Sequence, residues 1–415
     1  MKKIVIIGTV WPEPASTAAG QRMMQLIDIF KKIGYEIIFT STASSSEFAI
    51  NLENLNIKYV SIELNNDSFD NFIKNLNPSI VLFDRFITEE QFGWRVTNNC
   101  PNAIKILDTE DLHFLREARQ NCYKQNKICT ITNLQTETAK REIAAIYRCD
   151  LSLIISKYEL DLLINTFKIA PDLLHYIPMI YNQINENQTL NYPRFEERQH
   201  FFSIGNFYHQ PNWDAVLLLK KSYWNPIRKL LPTTELHIYG AYMPNKSMQL
   251  HNPNEGFIIK GRIKNSEDAF KNHRVLLAPL PYGAGIKGKL LQSMLFGCPS
   301  VTTSIGSEAM HENLDWNGFI EDNPTMFAQK AAELYINKKQ WIEAQKNGIN
   351  IINQCFNKAT FTDKFTDKIT YLIYNREKHR SENFIGQILN HHTLKSTMYM
   401  SKWIQEKNAH KLEKQ

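Results

Sequence analysis

Short β-branched runs and helix-period stretches alternate along the first 180 residues. Ile4 to Ile7, Glu36 to Thr40, Tyr59 to Ile62, Ile80 to Phe83, Ala103 to Leu107, Leu151 to Ile155 and Leu174 to Ile177 read as strands. Their near-continuous apolar character is that of strands buried on both faces. Between them lie stretches such as Gln21 to Ile33, where Met23, Met24, Ile27, Phe30 and Ile33 recur at helical spacing. Such alternation predicts a parallel sheet covered by helices.

Over residues 181–199 the pattern lapses into a polar, aperiodic run, Tyr181 to Gln188, with Pro193 behind it, which reads as a linker. Alternation restarts at Phe201 to Gly205 and continues through Leu236 to Tyr239, Phe257 to Lys260, Val275 to Leu280, Ser300 to Thr303 and Phe319-Ile320. The expected organisation is one α/β domain over residues 1–180, a second over 200–360, and a helical segment with a basic tail over 361–415. Two doubly wound, Rossmann-like domains place a cleft between the carboxyl ends of two parallel sheets, where ligands of such folds bind.

The length of 415 residues suits two domains, and 43 % hydrophobic with 22 % charged residues is ordinary globular usage. Met1-Lys2-Lys3 followed by Ile4 to Val10 imitates a signal peptide, but Gly8 breaks the run and Trp11-Pro12-Glu13-Pro14 replaces a small-residue cleavage site. A buried first strand is the expectation. No stretch approaches the roughly 20 apolar residues of a membrane span. Six scattered cysteines without a Cys-x-x-Cys pair argue against a disulfide scaffold or zinc site and suit a cytoplasmic protein. The net charge is +6, of which residues 376–415 carry +4 (eight Lys or Arg, four Asp or Glu), so the body is nearly neutral and a nucleic-acid partner is not expected. The basic tail either packs back on the first domain, the expectation for Phe384 to Leu389, or rests an amphipathic face peripherally on an anionic membrane.

Glycine is scarce, 16 residues, yet Gly283, Gly285, Gly288, Gly297 and Gly306 fall in one window. Around Ala278 to Met294 a strand, a glycine turn and a helix follow one another. Such a turn aims backbone N–H groups and the positive end of a helix at an anion, and Lys287 or Lys289 adds a full charge. A diphosphate suits the site; tight helix–strand packing is the other account of the same glycines. The pattern is neither a P-loop nor a Gly-x-Gly-x-x-Gly nicotinamide fingerprint.

The segment Arg274 to Lys289, with Gln292 to Val301 and Gly306-Ser307-Glu308-Ala309-Met310, closely resembles the donor-binding region of family 4 glycosyltransferases, which have the two-domain GT-B fold. Similar to the same group are Ser203 to Ala215, Lys140-Arg141-Glu142 with Arg148-Cys149-Asp150, Phe83 to Phe86, and Leu107 to Arg116. The likeness runs to roughly residue 370. It implies retaining transfer of a sugar from a nucleotide-sugar donor, held by the second domain, to a glycan, lipid-linked or other hydroxyl acceptor held by the first. No cofactor and no metal are implied; the nucleotide sugar is a substrate.

Mapped residue by residue, Gly283, Ala284, Gly285 and Lys287 would hold the donor diphosphate. Glu308 with the Gly306-Ser307 turn would lie beside the ribose or sugar, and Gly205 would approach the phosphates. His209 stays with the donor candidates, because its loop leaves Gly205. The family's Glu, seven residues, Glu pattern is replaced here by Ala284 and Gln292, and Gln292 still offers an uncharged hydrogen bond to a hydroxyl. That replacement keeps a catalytically inactive binding or scaffold protein as the alternative. Lys287 is the leading catalytic candidate, since a departing diphosphate gains negative charge. Asp111 and His113 follow a strand end and face the expected cleft; a helix start capped by Asp108 or Thr109 accounts for the same stretch. Asp84 with Arg85 reads as an internal ion pair, Arg141, Glu142, Arg148 and Asp150 as a salt-bridge lattice, and Asn212 as a helix cap.

Overall fold

The computed structural model describes residues 2–412, apart from the side chains of residues 392–394 and 410–412. Two sheets, each wholly parallel, organise the chain. The first comprises β1 (Lys2–Gly8), β2 (Tyr35–Ser41), β3 (Lys58–Ser61), β4 (Ile80–Asp84), β5 (Ile104–Asp108), β6 (Leu151–Ile154) and β7 (Leu174–Tyr176), in the order β3-β2-β1-β4-β5-β6-β7. The second comprises β8 (Gln199–Ile204), β9 (Leu236–Tyr239), β10 (Phe257–Gly261), β11 (His273–Ala278), β12 (Ser300–Thr302) and β13 (Gly318–Ile320), in the order β10-β9-β8-β11-β12-β13. Every strand expected from the sequence is present. The order reverses between β1 and β4 and between β8 and β11, the switch points at which such sheets open a crevice.

Side-chain alternation explains why most positions in these strands are apolar. Val5, Ile7, Val81, Phe83 and Leu107 fill one face of the first sheet, while Ile4, Ile6, Ile80, Leu82 and Ile106 fill the other. Helices cover both faces, so both periods must be apolar. The covering helices follow local rules. Ala18–Lys32 begins at Thr17, whose hydroxyl accepts from Gly20 N–H at 2.9 Å, and ends on Lys31 and Lys32 at the negative end of its dipole.

The connection after β7 runs beside the returning chain: Tyr181 N–H donates to Phe356 O and Lys358 N–H to Tyr181 O, both at 2.8 Å. From there the helix Lys358–Glu382 crosses back, and its Phe365, Ile369 and Leu372 join the first domain's core. Arg380 clamps Asp150 at 2.6 and 2.7 Å. The last helix, Phe384–Leu412, lies on the first-domain helices Arg85–Asn99 and Glu137–Arg148. It approaches so closely at Gly386 that a Cβ there would stand 2.2 Å from Tyr147 O. The expectation that Phe384 to Leu389 pack inward is corrected: Phe384, Ile385 and Ile388 face solvent, because the contact is made by Gly386 and Asn390 on the opposite side. The expected lattice also dissolves into separate pairs, Arg141 with Glu90, Arg148 with Glu89 and Asp150 with Arg380.

Candidate functional site

The two sheets point their carboxyl ends at one another across a cleft of about 490 Å³. Its walls are loops leaving the strand ends. The first domain gives Ala15 to Ala19 after β1, Arg85 after β4, Glu110 and Asp111 after β5, and His113 and Arg116 from the helix His113–Lys124. From the second come Gly205, Asn206, Tyr208, His209 and Asn212 after β8, Gly240 after β9, Arg262 and Ile263 after β10, and Leu280, Tyr282 to Lys289 and Gln292 after β11.

The glycine turn enters the helix Gly288–Leu295, which buries Leu290, Leu291 and Met294 and so turns Lys289 and Gln292, three residues apart, toward the cleft. Leu290 and Leu291 N–H return to Lys287 O. That leaves the earlier first-turn amides for an external acceptor. Gly205 closes in from β8, where an added Cβ would lie 3.0 Å from Lys289 Nζ and 2.8 Å from Asn212 Cγ. Burial pushes the Lys289 ammonium down to about 7. Lys287 is likewise lowered by burial, with Glu308 opposing, and its Nζ donates to Gly285 O at 2.8 Å. Lys289 is therefore the cation less committed to the protein's own groups.

Opposite stands an array of titratable groups on the ends of β4 and β5. Arg85 (φ 69) and Glu110 (φ 63) both hold the left-handed conformation, unusual for residues with a Cβ. Burial, then the nearby Asp108 carboxylate, pushes Glu110 up to about 8, and its Oε1 is shielded without a hydrogen-bond partner. Asp108 itself is fully buried beneath the floor, where Arg22 donates to it at 2.8 and 2.9 Å. Asp111 is paired with Arg116 and lies 3.5 Å from His113 Nε2. Burial raises Asp111, but Arg116 and then His113 outweigh it and hold the carboxyl well below the usual range. Burial takes His113 down to about 4, so its imidazole is neutral at pH 7.

The helix bearing His113 is capped differently from the expectation. Neither Asp108 nor Thr109 serves, because the helix starts later; the Glu142 carboxylate, from a neighbouring helix, accepts His113 and Phe114 N–H at 3.2 and 3.1 Å. Asn212 is not a cap either: it sits inside the helix Gln210–Leu218 and donates to Asn206 O, while His209 holds the cap position. Asp84 and Arg85 do pair, at 3.2 Å.

The cleft thus assembles Asp111, His113, Gly205, His209, Gly283, Ala284, Gly285, Lys287 and Gln292. Gly306, Ser307 and Glu308 stand outside its lining. Gly306 and Ser307 form a short turn capped by Thr303, and Glu308 is gripped from the first domain by Arg119 at 2.7 and 2.9 Å. Arg119 also donates to Gly283 O at 2.8 Å. A second cross-domain contact touches the turn directly: Glu159 Oε1 accepts Gly285 N–H at 2.7 Å and Leu112 N–H at 3.0 Å. Burial, then Asp111, brings Glu159 up to about 7. A first-domain carboxyl occupies the amide assigned to phosphate by resemblance.

Sequence reasoning placed Arg116 at the strand end facing the cleft and named Lys289 beside Lys287 as a charge for the turn, but it passed over Arg85, Glu110 and Glu159 as cleft groups. Those three carried no readable signal, since Arg85 and Glu110 reach the cleft through left-handed backbone and Glu159 through a contact made across the domains. Among the described residues no group of three or more His, Cys, Asp or Glu side chains gathers as a metal-binding set.

Residues 198–337 match the family described as glycosyl transferases group 1. No curated protein sequence matches the chain. Among solved structures, sucrose-phosphate synthase from Thermosynechococcus elongatus has a TM-score of 0.69 at 13 % identity, over 90 % of this chain and 100 % of that one. A mutant of S. aureus TarM, in complex with Fondaparinux, alpha-GlcNAc-glycerol and UDP, gives 0.69 at 10 %, over 89 % and 99 %. Anabaena HepE in complex with UDP-glucose gives 0.66 at 13 %, over 90 % and 100 %. At such identities the likeness is one of fold. Two parallel-sheet domains facing across a cleft in this way are the GT-B architecture, and the second of them matches the glycosyl transferases group 1 family.

Proposed function

We propose that the protein transfers a sugar from a nucleotide-sugar donor to a hydroxyl acceptor in this cleft, with retention of anomeric configuration and without a metal. The observation that carries the reading is Lys289, a half-buried cation beside Gly205 and the first turn of the helix Gly288–Leu295. A cation held that way lacks a counter-charge of its own, and a diphosphate supplies it. The complexes of HepE with UDP-glucose and of TarM with UDP support a donor of the same class.

In this reading Lys289, Lys287 and the turn amides stabilise charge on the departing nucleoside diphosphate. Binding displaces Glu159 from Gly285 N–H, and burial has brought that carboxyl up to about 7, so about half of it is already uncharged at pH 7. Glu110, whose carboxyl burial pushes up to about 8, lines the cleft on the sugar side, and the neutral His113 accepts or donates one hydrogen bond beside it. Gln292 contacts a ribose hydroxyl without charge. The acceptor is a glycan or lipid-linked hydroxyl entering from the first domain.

The test is release of nucleoside diphosphate from UDP-, GDP-, ADP- and dTDP-sugars by the purified protein. Slow hydrolysis of one donor class, with the α-anomer released from an α-donor by NMR, supports the reading. Absence of binding and of hydrolysis for every donor favours the alternative, a GT-B-fold protein that has lost catalysis and serves as a binding partner.

A further inference from the structure

The helix Phe384–Leu412 spans 29 residues, about 43 Å at 1.5 Å per residue. At 100° per residue its inward side carries Gly386, Asn390 and Ser401, which approach or bond Tyr147 O, Lys105 and Arg95. That contact fixes which side faces out. On the outer side Phe384, Ile385, Ile388, Tyr399, Met400 and Trp403 are 43 to 68 % exposed. They fall within one arc of about 160° and run along the helix for roughly 30 Å. Lys395, Lys402 and Lys407 share that arc, all exposed, and Glu406 is its single acidic residue. The Lys407 ammonium lies over the Trp403 ring at 5.1 Å.

We infer that this outer face of the last helix binds an anionic lipid surface, lying in the interface plane with its six apolar side chains at the acyl boundary and its lysines at the headgroups. Three features select this occupant. Tryptophan and tyrosine among aliphatic residues suit the boundary between acyl chains and headgroups, with one apolar end and one wet end per ring. Lysines interleaved with the apolar groups suit negative headgroups and reach them by extending their stems. A second copy of the chain suits the face poorly, since self-complementary contact centred on it would bring Lys395 against its own copy and Lys402 against Ile388. The face is a convex ridge and not a groove, so it offers a partner helix no pocket. Among the described residues no helix is long and apolar enough to cross a membrane, so the binding is peripheral through this face. The inference stands apart from the proposed transfer reaction. The helix rests on the domain expected to hold the acceptor, and attachment would present that domain at a lipid surface.

The test is co-flotation of the full-length protein with large unilamellar vesicles of phosphatidylcholine alone or of phosphatidylcholine mixed with phosphatidylglycerol. Wild type should float with the mixed vesicles, weaken as salt rises, and bind phosphatidylcholine far less. Each lysine at such a surface changes partitioning about fivefold. Lys395→Glu/Lys402→Glu/Lys407→Glu should therefore abolish flotation, and Phe384→Ser/Ile388→Ser/Trp403→Ser should do the same. All six positions are exposed, so both variants should keep the wild-type thermal melt and nucleotide binding, which separates this outcome from the fate of the transferase reading. Wild type that stays unbound with the mixed vesicles overturns the inference. So does either variant floating as well as wild type, or a dimer by sedimentation equilibrium that the serine variant dissolves.

Discussion

Replacing Lys289 tests the phosphate site with a magnitude drawn from the structure. In the unliganded protein burial holds its ammonium near 7, so about half the molecules carry the charge at pH 7. A bound diphosphate favours the charged form and lifts the pKa, so binding takes up about half a proton at pH 7, about nine-tenths at pH 8 and about one-tenth at pH 6. Nucleoside diphosphate affinity should therefore be flat below pH 7 and fall by up to about tenfold per pH unit above it. Lys289→Ala removes a charge-assisted hydrogen bond worth roughly 1.5–3 kcal/mol, about a tenfold to hundredfold loss of affinity at pH 6, and should reduce the proton uptake, leaving only what the Glu159 carboxyl contributes. Lys289→Met should also stabilise the fold. The folded pKa lies below the unfolded one, so the cost of burying the charge is complete below pH 7 and shrinks as pH rises above it. Isothermal titration at several pH values in two buffers of different ionisation enthalpy reads the uptake directly. Wild type binding a nucleotide with no proton uptake between pH 7 and 8, or Lys289→Ala binding it as tightly, would refute the reasoning.

Three further outcomes follow from the packing. Gly285→Ala should loosen domain closure, because φ at 62° costs a residue with a Cβ about 1–2 kcal/mol and the new methyl would meet Asp111 Cβ at 2.8 Å; small-angle scattering should show a larger radius of gyration. Stability should fall as pH drops from 6.5 toward 4, since burial lowers His273 to about 4 while it hydrogen-bonds His237 at 2.8 Å, with Glu235, His200 and Lys260 around the pair. The folded state then resists protonation that the unfolded chain accepts, and His273→Gln should flatten this acid limb of the Tm profile. Phe365→Ala should cost about 3–5 kcal/mol in chemical denaturation and strike the first domain, although the residue lies beyond the second domain in sequence.

Much of the fold was legible because strands buried on both faces leave an unmistakable apolar run, as in Ile4 to Ile7 and Ile80 to Phe83. The crossing-back of Phe365 and Leu372 was harder to read, since helical period shows which side of a helix is apolar but not which domain receives it. The same limit applies to Phe384 and Ile388, whose apolar stripe points to solvent. In the site, the turn Gly283 to Lys289 is local and carries its glycines on its face. Glu159 and Arg119 meet Gly285 and Glu308 from more than a hundred residues away, and no local pattern records such a meeting. Arg85 and Glu110 owe their cleft positions to left-handed backbone at strand ends, a conformation that neither residue type advertises.

The central claim, that this cleft binds and cleaves a nucleotide sugar, is tested most directly by thermal shift and hydrolysis of UDP-, GDP-, ADP- and dTDP-sugars with wild type and Lys287→Ala side by side. The account predicts a shift selective for one nucleotide, slow release of its diphosphate, and loss of both in the variant. A wild-type protein that folds normally yet neither shifts with nor hydrolyses any of these donors would contradict it.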